Sequence, residues 1–116
     1  MVYVDRERIG QVITNFLSNA IKYSTDANQI DVKTYLQNGE VILSVRDYGI
    51  GISKELQHLV FDQFYRVSGN LQHTYPGLGL GLYISSEIIK NEGGRIWVES
   101  EEGKGSTFYF ALSLIE

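Results

Sequence analysis

Three stretches of the chain hold residue types at spacings that can do chemistry. The first is Asn15-Phe-Leu-Ser-Asn19-Ala-Ile-Lys22-Tyr23. Gln11, Asn15, Asn19 and Lys22 recur about one helical turn apart and form a polar stripe. Asparagine is a mediocre helix former because its amide competes for backbone hydrogen bonds. Two of them stacked on one helix therefore need a reason: amides aimed at a ligand, or a polar face turned to water. The second stretch is Asp47-x-Gly49-x-Gly51. Glycines let the backbone approach a flat or anionic ligand, and a carboxylate accepts a hydrogen bond from an exocyclic amine. A strand-ending Asp followed by turn glycines is the plainer account. The third is Gly77-x-Gly79-x-Gly81 at a helix start. Backbone N–H groups there, with no Cβ in the way, make a phosphate cradle; a hinge with packing glycines is the alternative. No Gly-Lys-Ser/Thr follows, so it is not a Walker A loop, and it follows a loop where a Rossmann fingerprint follows a strand.

The elements that must position these groups can be read from periodicity. Ile9, Val12, Ile13, Phe16, Leu17, Ala20 and Ile21 lie on one face of an amphipathic helix from Asp5, its N-cap, to Tyr23. Met1–Val4 reads as the tail of a strand. Ile30, Val32, Thr34 and Leu36 alternate as in a half-buried strand. An Asn38-Gly39 hairpin turn then returns the chain through Val41–Val45, straight into Asp47. Ser53 is placed as an N-cap, with helical turns over Phe61–Arg66. Residues 67–76 show no periodicity and hold the single proline, which predicts a functional lid. Leu80, Ile84 and Ile88 mark a second helix that ends on Gly93-Gly94. Arg95–Glu99 and Thr107–Leu112 are the last strands, joined by a turn at Gly103-Lys-Gly105. Trp97, Phe108 and Phe110 sit at strand spacing, and core packing explains most of them. His58 and His73 read as ordinary helix and loop residues.

Bulk composition narrows the class. The 116 residues suit one domain over 1–116, with 43% apolar residues to build a core. The net charge is −4 and the ten basic residues are scattered, which argues against a nucleic-acid partner. No apolar run approaches a membrane span, so direct membrane contact is not expected. The absence of cysteine excludes disulfides and thiolate metal sites, and fits a cytoplasmic setting.

The order of the motifs is more specific than any one of them. Asn-x-x-x-Asn-x-x-Lys-Tyr precedes Asp-x-Gly-x-Gly and Phe-x-x-Phe-Tyr-Arg. A loop then leads into Gly-x-Gly-x-Gly-Leu, and Gly-Lys-Gly-Ser-Thr-Phe closes the series. This series resembles the catalytic, ATP-binding domain of sensor histidine kinases, within the gyrase, chaperone and MutL-type ATPase superfamily, over nearly the whole chain. The resemblance implies an α/β fold of the Bergerat type, an α+β two-layer sandwich with a mixed, mostly antiparallel sheet packed on helices. It implies ATP between the layers, with Asn19 as the Mg²⁺ ligand and Asn15 setting the polyphosphate and metal. Lys22 would meet a phosphate and Tyr23 the adenine. Asp47 would accept from the adenine amine, with Gly49 and Gly51 giving the base room. Arg66 would pair with the γ-phosphate. Gly77, Gly79 and Gly81 would cradle the phosphates, and Thr107 would lie near the base. Ile52, Phe64, Leu78, Leu80 and Leu82 complete the implied nucleotide site, and Asn15, Lys22 and Arg66 the catalytic set.

One position departs from part of that superfamily. Its hydrolysing branches usually carry a glutamate four residues before the metal asparagine, where this chain has Asn15. An amide cannot serve as a general base. The resemblance thus implies a protein-histidine kinase domain that positions ATP·Mg²⁺ for a histidine on a separate dimerisation domain, with a response regulator downstream. Neither His58 nor His73 sits in the acceptor context of that family. The expectation is an excised or naturally separate catalytic domain, monomeric alone and not autophosphorylating, from a parent that is cytoplasmic or membrane-anchored. Two other readings stay open: a nucleotide-sensing interaction module without chemistry, and a stand-alone ATPase of the same superfamily.

Overall fold

A computed structural model describes residues 6–23, 29–61 and 78–113 of the chain. Two helices, α1 (Arg6–Tyr23) and α2 (Leu78–Asn91), pack on one sheet. Its strands are β1 (Asp31–Gln37), β2 (Glu40–Arg46), β3 (Arg95–Glu101) and β4 (Gly105–Ser113), in the order β1-β2-β4-β3. The three pairings among the described residues are antiparallel, in keeping with the mostly antiparallel sheet expected. The strand tail at Met1–Val4, the cap at Asp5, and Phe64, Arg66, Gly77 and the lid at 67–76 lie outside the described residues.

Local sequence sets most boundaries. Asn38 (φ 51°) and Gly39 (φ 79°) both take the left-handed backbone that a tight two-residue hairpin requires. Gln37 then faces Glu40, and the register follows along β1 and β2. α2 ends in a Schellman motif: the Gly94 N–H donates to the Ile89 carbonyl at 2.9 Å and the Gly93 N–H to the Lys90 carbonyl at 3.0 Å. After Ser53 the chain forms a 3₁₀ helix, Lys54–Leu59. Ser53 holds the cap position, but its side chain makes no capping bond.

The core lies between the layers. Val12, Phe16 and Ala20 of α1 and Leu82, Ile88 and Ile89 of α2 meet Leu43 and Val45 of β2 and Phe108, Phe110 and Leu112 of β4. The Phe16 ring lies 5.7 Å from Phe108 and 6.0 Å from Phe110, centroid to centroid. Tilted aromatic contacts of this kind add to the burial of apolar area.

Two sequence expectations fail at the margins of the core. β1 supplies nothing to the core, so Val32 and Leu36 remain 50% and 70% exposed where half-burial was expected. Ile21, at the far end of the apolar stripe of α1, is likewise 67% exposed. Of the three strand aromatics, Trp97 is the one that core packing does not explain. Ile96 and Val98 pack inward, and strand alternation sends Trp97 to the other face. There it stacks on Tyr109 at 4.9 Å, with the Arg95 guanidinium 4.4 Å above its ring. Burial and the hydrogen bond that Tyr109 donates to Glu99 push the Tyr109 phenol up to about 12.

Candidate functional site

The polar stripe of α1 does not stay on one side of the helix. A stride of four residues overshoots a full turn by about 40°, so the stripe winds inward. Gln11 is exposed, Asn15 half-buried, and Asn19 only 5% exposed. Asn15 uses its amide nitrogen to join the two helices, donating to the Gly81 carbonyl at 3.3 Å and the Ser85 hydroxyl at 3.1 Å. The asparagine box and the third glycine of the Gly77–Gly81 run are therefore in direct contact. Asn19, one turn on, is different: its buried Nδ2 has no hydrogen-bond partner among the described residues. A buried amide left unpaired is costly, and a polar ligand would relieve that cost.

Leu78, Gly79 and Leu80 form the first turn of α2, whose backbone N–H groups lack partners within the helix. Lys22 and Tyr23 close α1.

Asp47 follows β2 with the same inward parity as Leu43 and Val45 and is 3% exposed. Its carboxylate is aimed by backbone groups. Oδ1 accepts the Gly49 N–H at 3.0 Å and the Ser106 N–H at 3.2 Å, while the Asp47 N–H donates to the Ser106 carbonyl at 2.8 Å. Both donors meet Oδ1, which leaves Oδ2 as the acceptor for a ligand. Burial pushes the carboxyl pKa up, and the two backbone bonds oppose that shift.

The loop after Asp47 is fitted onto the β3–β4 hairpin. Gly51 (φ +72°) lies so close that a Cβ would overlap the Glu101 backbone. The space it keeps clear is thus filled by the hairpin, where room for a ligand was expected. Gly105 (φ +106°) stands in the same relation to the Asp47 carbonyl. Its sequence reading as a turn residue omitted this second role. Ile52 and Leu82 are buried members of the core, 6% and 1% exposed.

Thr107 needs correction. Phe108 and Phe110 face the helices, so alternation turns Thr107 to the opposite face, in the concavity lined by Ser44, Arg46, Tyr48 and Tyr109. The residue beside Asp47 is Ser106. Counting back by two from Phe108 would have found it.

The family of histidine kinase-, DNA gyrase B- and HSP90-like ATPases matches residues 4–116. The chain belongs to that family. Within it, the sensor kinase WalK of Bacillus subtilis (strain 168) is 42% identical over 113 residues, covering 96% of this chain and 18% of WalK. The solved catalytic domain of the histidine kinase ThkA is 34% identical with a TM-score of 0.79, over 97% of this chain and 70% of that one. Full-length ShkA, solved in complex with AMPPNP, is 30% identical with a TM-score of 0.76, over 94% of this chain and 22% of that one. The chain spans 18% to 23% of the length of the sensor kinases WalK and ArlS, which it matches. It is an ATP-binding catalytic domain of the sensor histidine kinase type. No helix among the described residues is long and apolar enough to cross a membrane.

Proposed function

We propose that this domain binds ATP with Mg²⁺ between its helical layer and sheet, and presents the γ-phosphate to a histidine on a separate dimerisation domain. A response regulator would take the phosphoryl group onward. The observation that carries this reading is the pair of amides on α1. Asn15 ties the helix to the start of α2, and Asn19, one turn on, keeps a buried amide nitrogen without a partner.

The Asn19 donor set fits Mg²⁺. Rotation about its last torsion presents either end of the amide, and the oxygen is a hard, neutral ligand of the kind that completes a shell made largely of water and phosphate. Bound there, Mg²⁺ would neutralise phosphate charge. The remaining steps belong to the chain. Asp47 Oδ2 accepts a hydrogen bond from the adenine amine, where guanine would present a carbonyl. The first turn of α2 offers N–H groups to the phosphates. Lys22 and Arg66 are proposed to meet phosphate oxygens, and Tyr23 and Phe64 the base. Asn15 cannot take a proton from water, so the site holds and orients ATP and leaves the nucleophile to the partner.

Calorimetric titration with a non-hydrolysable ATP analogue, with and without Mg²⁺ and beside Asp47→Ala, tests the site. Binding that Mg²⁺ strengthens and Asp47→Ala sharply weakens is expected. Adding the parent's histidine-bearing domain in trans should then yield phosphohistidine. Nucleotide binding without phosphohistidine would turn the reading into that of a nucleotide-sensing module.

A further inference from the structure

We propose that Gln57 and Ser100, which lie outside the cleft, are positioning residues that set the discrimination between adenine and guanine. The proposal rests on the reading of Asp47 as the base-recognising carboxylate. Every polar hydrogen of the two side chains is committed. Gln57 Nε2 donates to the Ile52 carbonyl at 2.9 Å and the Ser100 carbonyl at 2.8 Å. The Ser100 hydroxyl donates to the Gly105 carbonyl at 3.0 Å and accepts the Ile52 N–H at 2.7 Å. Its single proton is then spent, so the Ser106 hydroxyl, 2.7 Å away, must be the donor between the two serines.

These bonds close a ring around Asp47. Ile52 is held through both its N–H and its carbonyl, and the Ile50 carbonyl accepts the Gly103 N–H at 2.8 Å. The loop from Gly49 to Ile52 is therefore fixed at its far end to the hairpin that also carries Ser106, one of the two donors to Asp47. Adenine differs from guanine at this carboxylate in presenting a donor where guanine presents an acceptor, so selection depends on where Oδ2 points. A small shift of the Gly49 N–H redirects it. Neither Gln57 nor Ser100 needs to touch the nucleotide for this effect.

Non-hydrolysable ATP and GTP analogues with Mg²⁺ would be titrated against the parent chain, Asp47→Ala, Gln57→Met, Ser100→Ala and Ser100→Thr, with a thermal melt for each. Gln57→Met keeps the bulk and removes both donors. It should lower the ratio of ATP to GTP affinity about tenfold, the effect of losing one good hydrogen bond. Ser100→Ala should do the same, and Ser100→Thr, which keeps the hydroxyl, should restore most of the ratio. A purely structural loss would lower both affinities together and leave the ratio unchanged. If Asp47→Ala abolishes discrimination while Gln57→Met and Ser100→Ala retain it, the positioning role is overturned and the reading of Asp47 survives. If Asp47→Ala itself leaves the ratio unchanged, both fall. Should Ser100→Ala fail to fold, Gln57→Met decides.

Discussion

The two ends of the candidate cleft are built by different means. At the base end, Asp47 is aimed by main-chain donors, and the loop behind it is seated on a hairpin so closely that two glycines have no room for a side chain. At the α1–α2 end, the contacts are side-chain amides: Asn15 spans the helices, and Asn19 is buried without a partner for its nitrogen. A carboxylate that reads hydrogen-bond polarity must point one way, and backbone contacts hold a direction better than a rotatable side chain. An amide proposed to serve a metal and phosphates would gain its partner only when they arrive. The base end therefore ties recognition to folding, and the other end separates them.

Gly51→Ala and Gly105→Ala should each cost about 3 kcal/mol or more, from left-handed backbone strain plus overlap with neighbouring main chain. For a domain of this size that corresponds to a fall of roughly 15 °C in melting temperature. A melt within about 3 °C of the parent chain would show that the loop is not seated as described.

Asp47→Asn comes next and should separate recognition from stability. The Asn oxygen can keep both backbone donors, while its NH₂ replaces the acceptor at Oδ2. ATP affinity should fall about a hundredfold, as in sites that lose a matched polar contact. Stability should move the other way. The folded-state pKa of Asp47 lies above its ordinary value of 3.8, so the folded chain binds the proton more tightly than the unfolded one. Stability is therefore lost as pH rises from about that ordinary value through the folded one. The variant lacks this loss, so its melting temperature should exceed that of the parent at neutral pH, by a few degrees. The gap should close as pH falls toward 4. A gap that is constant with pH would contradict the burial argument.

Much of this division was legible in the sequence. The asparagine pair stood out because two such amides one turn apart are unusual on a helix face, whereas Asp47, commonplace at a strand end, stood out only through the order of the motifs. The hairpin at Asn38-Gly39 and the glycine cap of α2 are local, and local chemistry sets them. The failures share a cause: each required knowing what lies opposite. Val32 and Leu36 alternate correctly for a strand, but alternation cannot tell a face that is covered from one that is not. Gly51 and Gly105 read as turn glycines, and only the approach of distant main chain shows why a Cβ is excluded. Gln57 and Ser100 had no pattern at all, since their partners lie on other elements. Thr107 was misplaced by one residue, which in a strand is the whole thickness of the sheet.

The asparagines refine the comparison at the other end. Asn15→Ala removes the link between the helices and leaves the Gly81 carbonyl and Ser85 hydroxyl without it, at a cost of about 1–2 kcal/mol, or roughly 5–10 °C. Asn19→Ala deletes an amide whose nitrogen is already unpartnered, so its melting temperature should stay within about 3 °C of the parent. Its effect should appear in titration instead, as loss of the Mg²⁺-dependent part of ATP affinity, about tenfold. Equal melting temperatures for the two variants would remove the distinction between a structural and a ligand-facing amide.

The smallest effect is expected at Thr107, and it tests the sheet as a barrier between two surfaces. Thr107→Val keeps the shape and β-branching of the side chain, so the strand should hold its register. The hydroxyl it removes lies on the face with Arg46, Tyr48 and Tyr109, across the sheet from Asp47. ATP affinity should therefore change less than about twofold, which is under 0.5 kcal/mol. Ser106→Val should do more, because the Ser106 hydroxyl meets Ser100 in the ring that seats the loop. If Thr107→Val proves the more damaging of the two, the outer face takes part in nucleotide binding, and the separation of the two surfaces by strand parity fails.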